Sequence, residues 1–107
     1  MSYRDIIKKE LLESRGWKVG TVSDFLDLTP EETTFVEIKL ALSQSLKERR
    51  QGLMTQNELA SKMGSSQPRI AKAENADASV SIELLIRAML ATGATPQDIG
   101  QVIAEVK

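Results

Sequence analysis

Apolar residues in this chain recur at three- and four-residue steps, the period of helices that bury one face. Ile6, Ile7, Leu11 and Leu12, with Lys8, Lys9, Glu10 and Glu13 between them, predict a helix over 1–15 that Gly16 stops. Residues 17–28 break the period. Lys18 to Val22 has strand-like content but is too short to stand alone, Ser23-Asp24 suits a turn of helix, and Trp17 and Phe25 read as core plugs. Thr29-Pro30-Glu31-Glu32 then opens a second helix. It supplies a cap, a proline at the first position, where a missing N–H costs little, and acids near the positive end of the helix dipole. This helix runs to about Arg50 with two stripes, Phe35, Ile38, Leu42 and Leu46 on one face and Val36 and Leu40 beside it. Two stripes predict two contacts.

The next stretch, Thr55 to Asn75, reads as two short helices around a tight turn. Thr55 with Glu58 has the form of a capping box, Leu59 and Met63 share a face, and Gly64 ends the helix as a residue free to take positive φ. Ser66 caps the following helix, and Pro68 falls in its first turn. Leu59, Met63, Ile70 and Ala73 are expected in the core, with Gln67, Arg69 and Lys72 on the other side. Ala60 and Gly64 are small where two steeply crossed helices must approach. Asn75 suits a positive-φ exit. Ser81 then caps a helix that is apolar most of the way round (Ile82, Leu84, Leu85, Ile86, Met89, Leu90), predicting thorough burial up to Gly93. Thr95-Pro96-Gln97-Asp98 opens a last helix with Ile99, Val102, Ile103 and Val106. The expected fold is all-α, a compact bundle of about five to six helices, with residues 1–28 as an N-terminal helical extension packed on a domain spanning 29–107.

Composition narrows the chemistry. A chain of 107 residues suits one domain, and its 41% hydrophobic content carries only 4% aromatics, so the core is aliphatic. It has no Cys and no His, which removes disulfides, the usual zinc ligands, and Ser–His and Cys–His nucleophilic pairs. No enzyme and no cofactor are expected. Asp24, Asp27, Glu31 and Glu32 are rich in oxygen but follow no calcium-loop spacing. No long apolar run or signal peptide is visible, so a cytoplasmic protein with no membrane partner is expected.

The net charge is −1, yet its distribution is uneven. Residues 41–75 hold six basic and three acidic side chains, whereas residues 21–40 hold five acidic and one basic. A basic face on an acidic protein can dock on phosphates with the acidic part turned away. A helix fits the major groove of duplex DNA, where each base pair displays its own donors and acceptors. Ser66, Gln67 and Arg69 put hydrogen-bonding side chains at the start of the second motif helix: Gln67 suits an adenine edge, and Arg69 suits guanine or a phosphate. Lys72, one turn on, can reach a base or the backbone. Arg49 and Arg50, at the end of the long helix, either contact phosphates or serve its dipole.

Gln56-x-x-Leu59-Ala60-x-x-Met63-Gly64, followed by Ile70, Glu74 and Asn75, resembles the helix-turn-helix of the XRE (Cro/C1, phage-repressor-like) family, in register through Ile99. The resemblance covers roughly the C-terminal half and implies a lambda-repressor-like DNA-binding domain. It implies a sequence-specific transcriptional regulator, most simply a repressor, that binds double-stranded DNA as a homodimer. Gln56 and the N–H groups behind it would meet phosphate. Glu74 would pair with Arg49 or Arg50, making that arginine structural. Pro68 departs from many members and removes one side chain from the reading set. The N-terminal extension also resembles that of HigA-like antitoxins, which bind a small ribonuclease toxin and repress their own operon.

Overall fold

The computed structural model describes residues 29–106, together with Glu10, which is helical and exposed. The expected helix over 1–15, the plugs Trp17 and Phe25 and the packing of 1–28 therefore lie outside the described residues. Within them five helices follow one another: α1 (Pro30–Gln51), α2 (Gln56–Met63), α3 (Gln67–Glu74), α4 (Ile82–Ala91) and α5 (Pro96–Ala104).

Each helix starts where a side-chain oxygen satisfies an orphan backbone N–H. Thr29, Thr55, Ser66, Ser81 and Thr95 are the caps, accepting from Glu32, Glu58, Arg69, Leu84 and Asp98 respectively. At α2 the box is reciprocal: Glu58 N–H donates to Thr55 Oγ1 at 3.1 Å, and Thr55 N–H donates to Glu58 Oε1 at 3.1 Å. Thr95 and Asp98 repeat it at α5.

The chain reverses after α2 at Gly64, which sits in the left-handed region at φ 66° and ψ 33°. Ser65 N–H reaches back to the Ala60 carbonyl at 2.8 Å, and Gly64 N–H to that of Ser61 at 3.2 Å. These bonds satisfy carbonyls that the helix end leaves open. The same device closes α3, one residue later than the sequence predicts. Asn75 has φ −91°, and Ala76 takes the positive φ, at 53°. Asp77 N–H bonds to the Lys72 carbonyl and Ala76 N–H to that of Ala73, so the turn is completed around an alanine. Asn75 remains helix-like because its N–H still bonds back to Ala71.

The core is aliphatic. Leu42 and Leu46 of α1, Leu59 and Ala60 of α2, Ile70 and Ala73 of α3, Leu84, Leu85, Ala88 and Met89 of α4, and Ile99 of α5 form one buried cluster with Val80 and Ala94. α1 runs along its back and packs on α3, α4 and α5, while α2 packs on α3 and α4. At 22 residues α1 is about 33 Å long, long enough to reach all three.

The pattern of α1 needs correction. Its buried face is Val36, Lys39, Leu42, Ser43 and Leu46, drawn from both expected stripes, and Phe35 is 51% exposed. No residue from Pro30 to Phe35 is buried, so the first turns of α1 lie beyond the shared core and periodicity alone misplaces Phe35. Lys39 is 5% exposed although charged, with Nζ donating to the Ala78 carbonyl at 3.4 Å. Burial lowers its pKa from the ordinary lysine value, opposed by the nearby Asp77. Leu90 is also displaced from its expected place. It is 46% exposed, whereas Leu84, Leu85, Ala88 and Met89 are buried and Ile82, Ile86 and Ala91 pack against the cluster partly buried. Met63 packs against the core but is only partly buried.

Candidate nucleic-acid interface

The candidate surface is built on α2, the Gly64 turn and α3. Ile70 and Ala73 are fully buried and anchor α3. Their positions leave Pro68, Arg69 and Lys72 exposed, with Gln67 half-buried at the first helical position. Neither the Arg69 guanidinium nor the Lys72 ammonium has an ion-pair partner among the described residues. Ser66 is exposed, and its Oγ accepts the Arg69 N–H at 3.4 Å. That contact uses an acceptor and leaves the hydroxyl proton available to donate. The short, polar start of α3 is thus presented outward by its own buried aliphatic side.

Behind this start lies a partly buried polar chain centred on Glu74. Glu74 is 6% exposed. Its Oε1 accepts from Arg50 Nη2 at 3.0 Å, and its Oε2 from Arg50 Nε. Arg50 also donates through Nη1 to the Met54 carbonyl at 3.1 Å. Gln56 Nε2 donates to Glu74 Oε1 at 3.1 Å, and Gln67 Nε2 donates to Gln56 Oε1 at 2.6 Å. One carboxylate therefore ties the end of α1, the loop after it, the start of α2 and both ends of α3.

This geometry divides the sequence-predicted residues. Ser66 caps α3, Gln67 and Arg69 lie in its first turn, and Lys72 lies in its last turn. Arg50 is turned inward: its side chain is 12% exposed and committed to Glu74 and Met54, which is the structural role left open for Arg49 or Arg50. Arg49 points elsewhere, its Nη2 lying 3.1 Å from Asp98 Oδ2 at the start of α5. The carboxyl of Asp98 is held below the usual aspartate range by hydrogen bonds from Thr95, with Arg49 adding less. The Gln56 side chain is spent within the protein on Glu74 and Gln67. Gln56, expected at a phosphate, instead joins this chain of amides. Its members stand 11 and 18 residues apart, and no local pattern links them.

Two recesses border α3. An open groove of about 690 Å³ is lined by residues 50–58 and Gln67 and exposes the start of α2. A second, of about 370 Å³, is lined by Ser66, Pro68, Arg69 and Lys72 with Ser79, Val80, Ser81 and Leu84. Asp77 sits near the latter and accepts from the Ser79 N–H and hydroxyl at 2.9 and 2.7 Å. Those bonds hold its carboxyl below the ordinary aspartate value.

Two helices joined by a glycine turn, the second projecting a polar and basic face, define a helix-turn-helix. Comparison with protein families agrees: residues 46–99, half of the chain, match the helix-turn-helix family. The chain belongs to the XRE-type helix-turn-helix family of DNA-binding transcription regulators. Comparison with curated proteins found no match, and neither did comparison with solved structures. Among the described residues no helix is long and apolar enough to cross a membrane.

Proposed function

We infer that the protein binds duplex DNA in a sequence-specific manner by laying the N-terminal half of α3 in the major groove, and that it acts as a dimeric repressor. One observation carries the reading: α3 exposes Arg69 and Lys72 on the side away from buried Ile70 and Ala73, with Gln67 half-buried at its first position. Gln67 and Arg69 are the base-reading candidates, and Lys72 and Ser66 reach bases or phosphates at the groove edge. The N–H groups of Gln56 and Asn57, at the start of α2, face a phosphate oxygen at the positive end of that helix. Arg49, 32% exposed at its side chain, is a lesser phosphate contact because Asp98 already holds it. Arg50 supports the motif from behind. One recognition helix spans only a few base pairs, so tight binding needs two half-sites about one helical turn apart, and therefore two subunits. Repression follows if that site overlaps a promoter.

Selection from random duplexes tests this reading. The protein should enrich one motif with two-fold symmetry, and Gln67→Ala with Arg69→Ala should abolish the enrichment. Lys72→Ala should weaken binding to all sequences alike and lower the salt slope by about one. A double variant with unchanged affinity and unchanged sequence preference would remove α3 from the interface. Light scattering showing only monomer, with and without the selected duplex, would remove the dimer.

A further inference from the structure

The groove between α1 and α5 has a chemistry that the DNA-facing surface does not use. It encloses about 430 Å³ between residues of α1 from Glu37 to Glu48 and Val102, Glu105 and Val106 at the end of the chain. Its apolar part is Ala41, Val102 and Val106, all half-buried, and every charged residue lining it is a glutamate: Glu37, Glu48 and Glu105. Glu48 and Glu105 are exposed, and each accepts from a glutamine one turn earlier. Neither has an ion pair among the described residues. Such a groove repels phosphate. A second copy placed by two-fold symmetry would set the same carboxylates against one another. Its charge and its apolar strip match a cationic amphipathic helix.

The chain itself contains that helix in its sequence. At helical spacing, Arg4, Ile7, Lys8, Leu11 and Arg15 fall within a sector of about 100°. Asp5, Glu10 and Glu13 fall outside it, and Glu10, the described member, is helical and exposed. Arg4 and Arg15 stand eleven positions apart, as do Glu37 and Glu48, so each pair spans about 16 Å of helix. The fourteen residues from Gly16 to Thr29 can extend to about 46 Å, further than the length of α1.

We propose that residues 4–15 dock as a helix in the α1–α5 groove of their own chain. Ile7 and Leu11 meet Ala41, Val102 and Val106, while Arg4, Lys8 and Arg15 face the three glutamates. Exposed ion pairs are individually weak, so the charges choose the groove and the buried apolar area holds the segment there. No residue of α2 or α3 lines the groove, so the docked segment leaves Ser66 to Lys72 open.

The test uses the full chain. It has no cysteine, so Glu10→Cys carries a nitroxide at one place, outside the basic sector. With isotope and nitroxide on the same molecule, amides from Glu37 to Glu48 and from Val102 to Val106 should lose their NMR signals, and those from Ser66 to Lys72 should keep them. Arg4→Glu with Lys8→Glu should return the lost signals. Adding Glu48→Lys with Glu105→Lys should remove them again. With the nitroxide on unlabelled protein and the isotope on a second, nitroxide-free copy, no signal should be lost. A loss in that mixture would put a neighbour's segment in the groove and overturn the assignment. Loss centred on α3 or on Glu31 to Phe35 would overturn it, as would charge reversals that change nothing. No loss anywhere would also overturn it, leaving the groove to another protein.

Discussion

Two adjacent arginines end α1, and the protein uses them in opposite ways. Arg50 turns toward α2 and α3 and meets a carboxylate whose side chain is 2% exposed. Arg49, about 100° further round the helix, turns toward α5 and meets an aspartate whose side chain is 42% exposed. The first pair is bidentate and joins residues 24 apart in sequence. The second lies in water, where Coulomb attraction is weak and salt screens it. Ion pairs that look alike in sequence therefore differ in consequence: one joins the parts of the helix-turn-helix, and the other decorates the start of a helix already capped by Thr95.

The largest expected effect comes from breaking the inner pair. Glu74→Ala leaves the Arg50 guanidinium buried without a counter-charge and should cost about 3–5 kcal/mol in denaturant unfolding. Replacing both partners by apolar residues, Arg50→Met with Glu74→Leu, should recover most of that loss, because no charge is then stranded. A double variant as unstable as the single one would show that packing, rather than the stranded charge, is what Glu74→Ala destroys.

The turns provide the next contrast. Gly64→Ala puts a side chain into the left-handed region and should cost about 1–2 kcal/mol. Nothing lies within 4 Å of the added methyl, so the cost is one of backbone conformation. Ala76 already occupies that region and is 2% exposed. Ala76→Gly relieves about 1 kcal/mol of strain and deletes a methyl worth about 0.8 kcal/mol, so its melting temperature should stay near that of wild type.

The outer pair should give the smallest effect. Asp98→Asn should lower stability slightly at neutral pH in moderate salt, the smallest loss of the series. The folded carboxyl titrates below its ordinary value, so its contribution is complete above the unfolded pKa. It is lost as the pH falls through the folded pKa, in the acid range below that of an ordinary aspartate. Unfolding curves of Asp98→Asn and wild type should converge there, and a difference that grew on acidification would contradict the assignment.

The sequence made the local parts legible and left the long-range ones open. Each cap is a contact over three residues, so Thr29, Thr55, Ser66, Ser81 and Thr95 could be read directly, as could Gly64. Core positions followed from period wherever partner helices pack on both sides, as at Leu59, Ile70 and Leu85. The same logic failed at Phe35 and Leu90, because a stripe says which residues share a face and not where the neighbouring helices stop. It also gave no hint that Lys39 would lie in the core. The polar chain Arg50–Glu74–Gln56–Gln67 was legible only as a choice between two arginines, since its bonds join residues that only the fold brings together.

The most direct test is to bind the selected duplex to isotopically labelled protein and map the perturbed backbone amides by NMR. Perturbation should concentrate at Gln56 and Asn57 and from Ser66 through Lys72, with the C-terminal turn of α4 and the exposed face of α5 little changed apart from any effect of subunit association. Perturbation centred on α5 or on the first turns of α1, with Gln67 and Arg69 unmoved, would contradict this.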